Sequence, residues 1–87
     1  MNLSLYHLPG CPYCVRVRHA ADHLGLKLRL IDISRDPEAR KTLKAARGRT
    51  TVPVLRIEAR GRAELMGESE DIVDFLAAMA KVRGSAA

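Results

Sequence analysis

Both cysteines of the chain fall within four residues, Cys11-Pro12-Tyr13-Cys14. Paired thiols can staple a fold, hold a metal or exchange electrons, and spacing decides among the three. A disulfide closing so short a loop removes little freedom from the unfolded chain, so a structural staple is a poor explanation. Structural zinc takes four ligands, commonly from two such pairs. No second pair exists, and His7, His19 and His23 are scattered, so no metal is expected. A working redox pair remains. Cys11 follows a strand pattern and precedes a helical one. There the unpaired amide N–H groups and the positive end of the helix dipole favour a thiolate. Free thiols ionise near 8.5, and Cys-X-X-Cys sites at helix N-termini fall to ~3.5–7.5. Pro12 suits the first helical position, where no N–H donor is needed. Cys14, one turn further on and more enclosed, can reach back to Cys11. Cys11 is therefore expected to attack and Cys14 to resolve the mixed disulfide.

These thiols need elements to hold them. Leu3 to His7 alternates as a strand and is ended by Pro9-Gly10. Pro12 to about Leu24 is helical, with Val15, Val17, Ala20, Ala21 and Leu24 on its buried side and Gly25 as a stop. Lys27 to Ile33 alternates again: Leu26, Leu28, Leu30 and Asp32 face one way, and Lys27, Arg29, Ile31 and Ile33 the other. A second helix opens at Asp36-Pro37, with Asp36 as N-cap, runs to about Ala46 and ends at Gly48. Val54–Glu58 and Arg62–Met66 form a hairpin around Ala59-Arg60-Gly61. Ser69 is the expected N-cap of a last helix whose apolar side is Ile72, Val73, Phe75, Leu76 and Met79, with a frayed tail from Arg83. The order β-α-β-α-β-β-α implies a parallel crossover followed by an antiparallel hairpin. That is an α/β domain with a four-stranded mixed sheet flanked by helices.

The 87 residues suit one compact domain over 1–87, and 47% are apolar. No apolar run approaches the ~20 residues of a membrane span, and the N-terminus lacks a basic segment followed by an apolar one. No membrane partner is expected, and the expected compartment is the cytoplasm. The net charge of +5 raises nucleic-acid binding, but Tyr6, Tyr13 and Phe75 are the only aromatics and the basic residues are dispersed. The densest basic group, Arg40, Lys41, Lys44, Arg47 and Arg49, runs along the second helix and the loop after it. It is expected as a solvated face from which one or two side chains meet a small anionic substrate.

Cys11-Pro12-Tyr13-Cys14 is the active-site sequence of dithiol glutaredoxins. Gly48-Arg49-Thr50-Thr51-Val52-Pro53 resembles their Thr-Val-Pro loop, and Gly67-Glu68-Ser69-Glu70-Asp71-Ile72 resembles the segment that opens their last helix. With the element order, the chain resembles a bacterial-type glutaredoxin of the thioredoxin fold from Leu3 to about Leu76. Glu68-Ser69 followed by Asp71-Ile72 also resembles the Glu-Ser segment of glutathione-transferase N-terminal domains, which share the fold. One departure matters: many dithiol glutaredoxins carry Lys three residues before the first cysteine, where this chain has Leu8 with His7 before it.

The resemblance implies a glutathione-dependent thiol–disulfide oxidoreductase with no permanently bound cofactor and glutathione as reducing co-substrate. It implies a cis peptide before Pro53, with Thr51, Val52 and Pro53 lying beside the cysteines and the Val52 backbone pairing with the cysteinyl unit of glutathione. The amides of Ser69 and Glu70 would seat the γ-glutamyl carboxylate, and the side chain of Glu70 or Glu68 would meet its ammonium. Tyr13 would cover the Cys11 sulfur, and Arg49 or Arg40 would meet the glycyl carboxylate. The partners implied are glutathione and disulfide-containing or glutathionylated proteins; a monomer is the simplest expectation, which no residue of the sequence decides. Three rivals stand: a redoxin recharged by thioredoxin reductase that supplies ribonucleotide reductase, an iron–sulfur scaffold using Cys11 and glutathione, and, third, a basic nucleic-acid module, although no nucleic-acid partner is expected.

Overall fold

The computed structural model describes the backbone of residues 1–86 and the side chains of residues 1–82. Its elements are β1 (Asn2–His7), α1 (Pro12–His23), β2 (Arg29–Asp32), α2 (Pro37–Arg47), β3 (Val54–Ala59), β4 (Arg62–Met66) and α3 (Ser69–Ala86). The sheet order is β2-β1-β3-β4. β1 pairs parallel with β2, Leu5 opposite Leu30, and antiparallel with β3, Leu5 opposite Leu55 and Tyr6 opposite Val54. β3 pairs antiparallel with β4. The tail from Arg83, expected to fray, instead continues the backbone of α3 as far as Ala86.

The period-2 alternation of the two central strands divides the interior. Leu5 and Leu55 point to the face covered by α1 and α3, where they meet Val17, Ala21, Leu26, Ile72 and Leu76. Tyr6 and Val54 point to the opposite face and meet Ile33, Ala39 and Leu43 beneath α2. Only a sheet buried on both faces gives the unbroken run Ser4–His7, every residue of which is buried.

Each helix begins and ends on a local cause. Cys11 is extended (φ −78°, ψ 121°) and its carbonyl accepts from Val15 N–H at 3.0 Å, so Cys11 is the cap and Pro12 the first helical residue of α1. The Asp36 carboxylate caps α2 by accepting from Ala39 N–H at 3.0 Å. Gly48, at φ +76°, ends α2, a conformation that a Cβ would oppose. Arg60 and Gly61 both have positive φ (53° and 74°), which tightens the hairpin turn to two residues matching the twist of the strands.

Three further expectations are corrected. β2 is four residues long rather than seven, because as an edge strand it pairs only along Ser4–His7 of β1. Its facing is as read, with Leu28 on the α1–α3 side and Ile31 and Ile33 on the other. The buried stripe of α1 is Cys14, Val17 and Ala21, displaced from Val15 toward the second cysteine. Ser69 does not cap α3. Glu68 does, with its carbonyl accepting from Ile72 N–H at 3.1 Å and its own φ at +61°. The chain turns sharply between β4 and α3, and that turn takes a left-handed residue before Ser69 can be helical.

Candidate active site

The site lies where β1 hands the chain to α1. Cys11 N–H donates to the Leu8 carbonyl at 3.1 Å, so the Leu8–Cys11 segment closes into a turn that sets Cys11 at the helix mouth. Both thiols are free; Cys11 is half-buried and Cys14 fully enclosed. Their surroundings drive them apart. Burial pushes the Cys11 thiol up, but it is outweighed by the Cys14 backbone N–H, the Cys14 thiol and the Tyr13 backbone N–H, all favouring the ionised sulfur. The net result lies below the usual thiol value. Cys14 is pushed up to about 11, by burial first and then by donating its proton toward Cys11 and by the charge there. The Leu8 N–H and Arg18 oppose that rise. The arrangement can hold one thiolate and one thiol a helical turn apart, as nucleophilic attack followed by intramolecular resolution requires.

His7 does not replace the missing lysine. It is buried, its Nδ1 has no hydrogen-bond partner, and burial followed by the Arg18 charge holds its pKa below 6.5 despite Asp32. It is a neutral imidazole at neutral pH.

A groove of about 380 Å³ begins at Tyr13 and runs between the loop after α2 and the start of α3. It is lined by Tyr13, Arg49, Thr51, Val52, Pro53 and Ser69, six of the residues singled out in the sequence. The Val52–Pro53 peptide is cis, Pro53 is buried and Tyr13 is largely exposed. The amides of Ser69, Glu70 and Asp71 occupy the first turn of α3, before the first intrahelical donor Ile72, and so have no carbonyl of their own helix to bond.

Two expected contacts lie elsewhere. The Glu70 carboxylate is outside the groove lining and pairs with Arg16, tying the opening turns of α1 and α3 together. Arg40 is engaged as well, donating to the Ile33 carbonyl and fixing α2 to the loop after β2.

Arg47 and Gly67 line the groove, but sequence reasoning gave Arg47 no individual role and Gly67 only a place in a motif. A Cβ on Gly67 would collide with the Arg47 guanidinium, whose Cζ lies 3.0 Å from where that atom would be. The Arg47 Nε is buried without a partner. The signal was present: Gly48 reverses the chain after α2, so a long side chain in the last turn lies beside the Arg49–Pro53 loop.

Fold and site together define a glutaredoxin-like protein of the thioredoxin fold. Residues 5–83 match the model of the glutathione S-transferase N-terminal domain, and the chain belongs to that family. The solution structure of a glutaredoxin from Brucella melitensis superposes with a TM-score of 0.67 at 28% identity, over 97% of this chain and 86% of that one. A glutathione transferase homologue from Sulfitobacter, solved with bound glutathione, superposes with a TM-score of 0.72 at 26% identity, over 95% of this chain and 39% of that one. A hybrid peroxiredoxin of Haemophilus influenzae is 29% identical over 76 residues, which are 87% of this chain and 30% of that protein. The chain thus spans under a third of the curated relative it matches.

Proposed function

We propose that this chain is a glutathione-dependent thiol–disulfide oxidoreductase of the cytoplasm, acting as a monomer. The observation that carries the reading is the divergence of the two sulfurs: Cys11 is lowered at the mouth of α1 and Cys14 is raised behind it, beside the Tyr13–Val52–Ser69 groove. The Cys11 thiolate attacks one sulfur of a substrate disulfide, forms a mixed disulfide and expels the other sulfur as a thiolate that takes a proton. Cys14 loses its proton, attacks Cys11 Sγ and releases the second substrate thiolate, leaving the Cys11–Cys14 disulfide. One glutathione thiolate then attacks Cys11 Sγ and expels Cys14. A second attacks the bound glutathione sulfur, freeing Cys11 and forming glutathione disulfide. For a protein–glutathione mixed disulfide, Cys11 alone is enough.

In the groove, the Val52 backbone pairs with the cysteinyl unit, with Thr51 and Pro53 shaping the wall. The free amides of Ser69 and Glu70 receive the γ-glutamyl carboxylate. The glycyl carboxylate goes to Arg49, with Arg47 beside it, and Tyr13 covers the tripeptide. Family membership and the glutathione-bound transferase homologue support the tripeptide assignment. The similarity to a hybrid peroxiredoxin makes an oxidised peroxidase the first protein substrate to try.

The test is glutathione-coupled reduction of a small glutathione mixed disulfide by the parent, Cys11→Ser and Cys14→Ser. Cys11→Ser is expected to be inactive and Cys14→Ser to keep most of the activity. Equal loss in both, or turnover by the parent with thioredoxin reductase and NADPH but none with glutathione, would overturn the reading.

A further inference from the structure

Leu8 and the neutral His7 leave the redox turn without its expected cation, yet one cation does face it. Arg18 lies on α1 one turn beyond Cys14 and is half-buried. Its guanidinium folds back to within 3.5 Å of the Pro9 carbonyl, in the segment leading into Cys11. Its Nε is buried with no acceptor. The ion pairs among the described residues, Arg16–Glu70, Arg35–Asp32, Lys41–Glu38 and Arg56–Glu58, do not include Arg18, and Asp22, the carboxylate one turn further along α1 that lines the same cavity as Arg18, is not paired with it. An unneutralised cation at a partly buried position acts over a longer range than one in an exposed pair.

We propose that Arg18 is a positioning residue for the Cys14 half of the exchange: its unpaired guanidinium, folded over the Pro9 carbonyl, stabilises the negative charge on Cys14 Sγ as that sulfur attacks Cys11 and as it leaves. The inference rests on the thiol–disulfide reading above. Both events put charge on an enclosed sulfur, first when Cys14 gives up its proton to bond Cys11 and again when glutathione breaks the Cys11–Cys14 bond. Cys14 is faced by Cys11, by the Leu8 N–H and by Arg18 on its own helix. His7 on β1 is neutral and Asp32 on β2 acts on His7, while the Glu70 carboxylate of α3 is held by Arg16. Among the described residues Arg18 is thus the positive charge that acts on this sulfur, and its pull opposes the burial that raises Cys14.

The test uses Arg18→Met and Arg18→Lys, with two readouts. In the Cys11→Ser background, the isotope-labelled Cβ signal of Cys14 is followed by NMR through the alkaline range. Arg18→Met should move its midpoint up by as much as about one pH unit, and Arg18→Lys should restore most of the difference. In the parent background, reduction of a disulfide-bonded peptide, which needs Cys14, should slow by up to about tenfold in Arg18→Met, with the alkaline limb of its pH profile displaced upward. Reduction of a mixed disulfide by the Cys14→Ser variant should fall by less. An unmoved Cys14 midpoint, or equal slowing of both reactions with no displaced limb, would overturn the role of Arg18. A parent inactive toward both disulfides would sink the oxidoreductase reading instead, and the NMR midpoint would still decide whether Arg18 acts on Cys14.

Discussion

At Cys11 burial and backbone amides pull in opposite directions, and the amides win because the sulfur sits at the open end of α1 rather than one turn inside it. Cys14 has the same chemistry and the reverse outcome. That difference was legible in the sequence, because a Cys-Pro start fixes which cysteine caps the helix and which lies within it. What was not legible is which long side chains reach the groove. Arg40 was a candidate and instead holds Ile33, whereas Arg47, given no role of its own, crosses Gly67. Spacing along a chain does not reveal where a flexible guanidinium comes to rest. The Gly67 contact leads to a prediction. Gly67→Ala should push the Arg47 guanidinium aside and raise the KM for glutathione several-fold while changing kcat little, as expected for lost ground-state binding. Steady-state kinetics at varied glutathione checks this, and an unchanged KM would remove Arg47 from the groove.

Among the elements, α2 and its caps were the easiest to anticipate, because Asp36-Pro37 and Gly48 each have a backbone reason to be where they are. Asp36→Ala should cost about 1 kcal/mol by freeing the Ala39 amide, which corresponds to a melting temperature lower by about 4–8 °C in a domain of this size. Thermal unfolding followed by circular dichroism measures it. The cap of α3 was misplaced because a left-handed Glu68 has no sequence signature, while Ser69 has a strong one. β2 was overestimated because alternation continues beyond the point at which β1 can supply partners. The end of β1 carries a pH dependence through His7. Its pKa is depressed in the folded protein, so the unfolded chain binds more protons as pH falls below 6.5. The stability associated with a neutral His7 is therefore full above 6.5 and is lost as pH falls through the lower folded value. Denaturant midpoints measured across that window should decline in the parent and decline less in His7→Asn.

The whole molecule places two small cores back to back on one sheet. A chain of 87 residues has a total stability of about 4–13 kcal/mol at ordinary per-residue values. Truncating a fully buried leucine costs about 2–5 kcal/mol, so neither core has much margin. Leu55→Ala, on the α1–α3 side, should lower the unfolding free energy by that amount, read as a lower urea midpoint at unchanged slope, and a loss under about 1 kcal/mol would mean that this core repacks. The architecture was readable from element order alone, since β-α-β-α-β-β-α with this alternation leaves few other ways to bury both sheet faces. Both cores serve to hold the end of β1 and the start of α1 rigid, so that one sulfur meets the amides of Tyr13 and Cys14. The most direct measurement is the pH dependence of alkylation of Cys11 in the fully reduced protein. The midpoint should lie clearly below the ~8.5 of a free thiol, with reactivity level through the alkaline range above it. A midpoint at or above that of an unperturbed thiol would contradict the account.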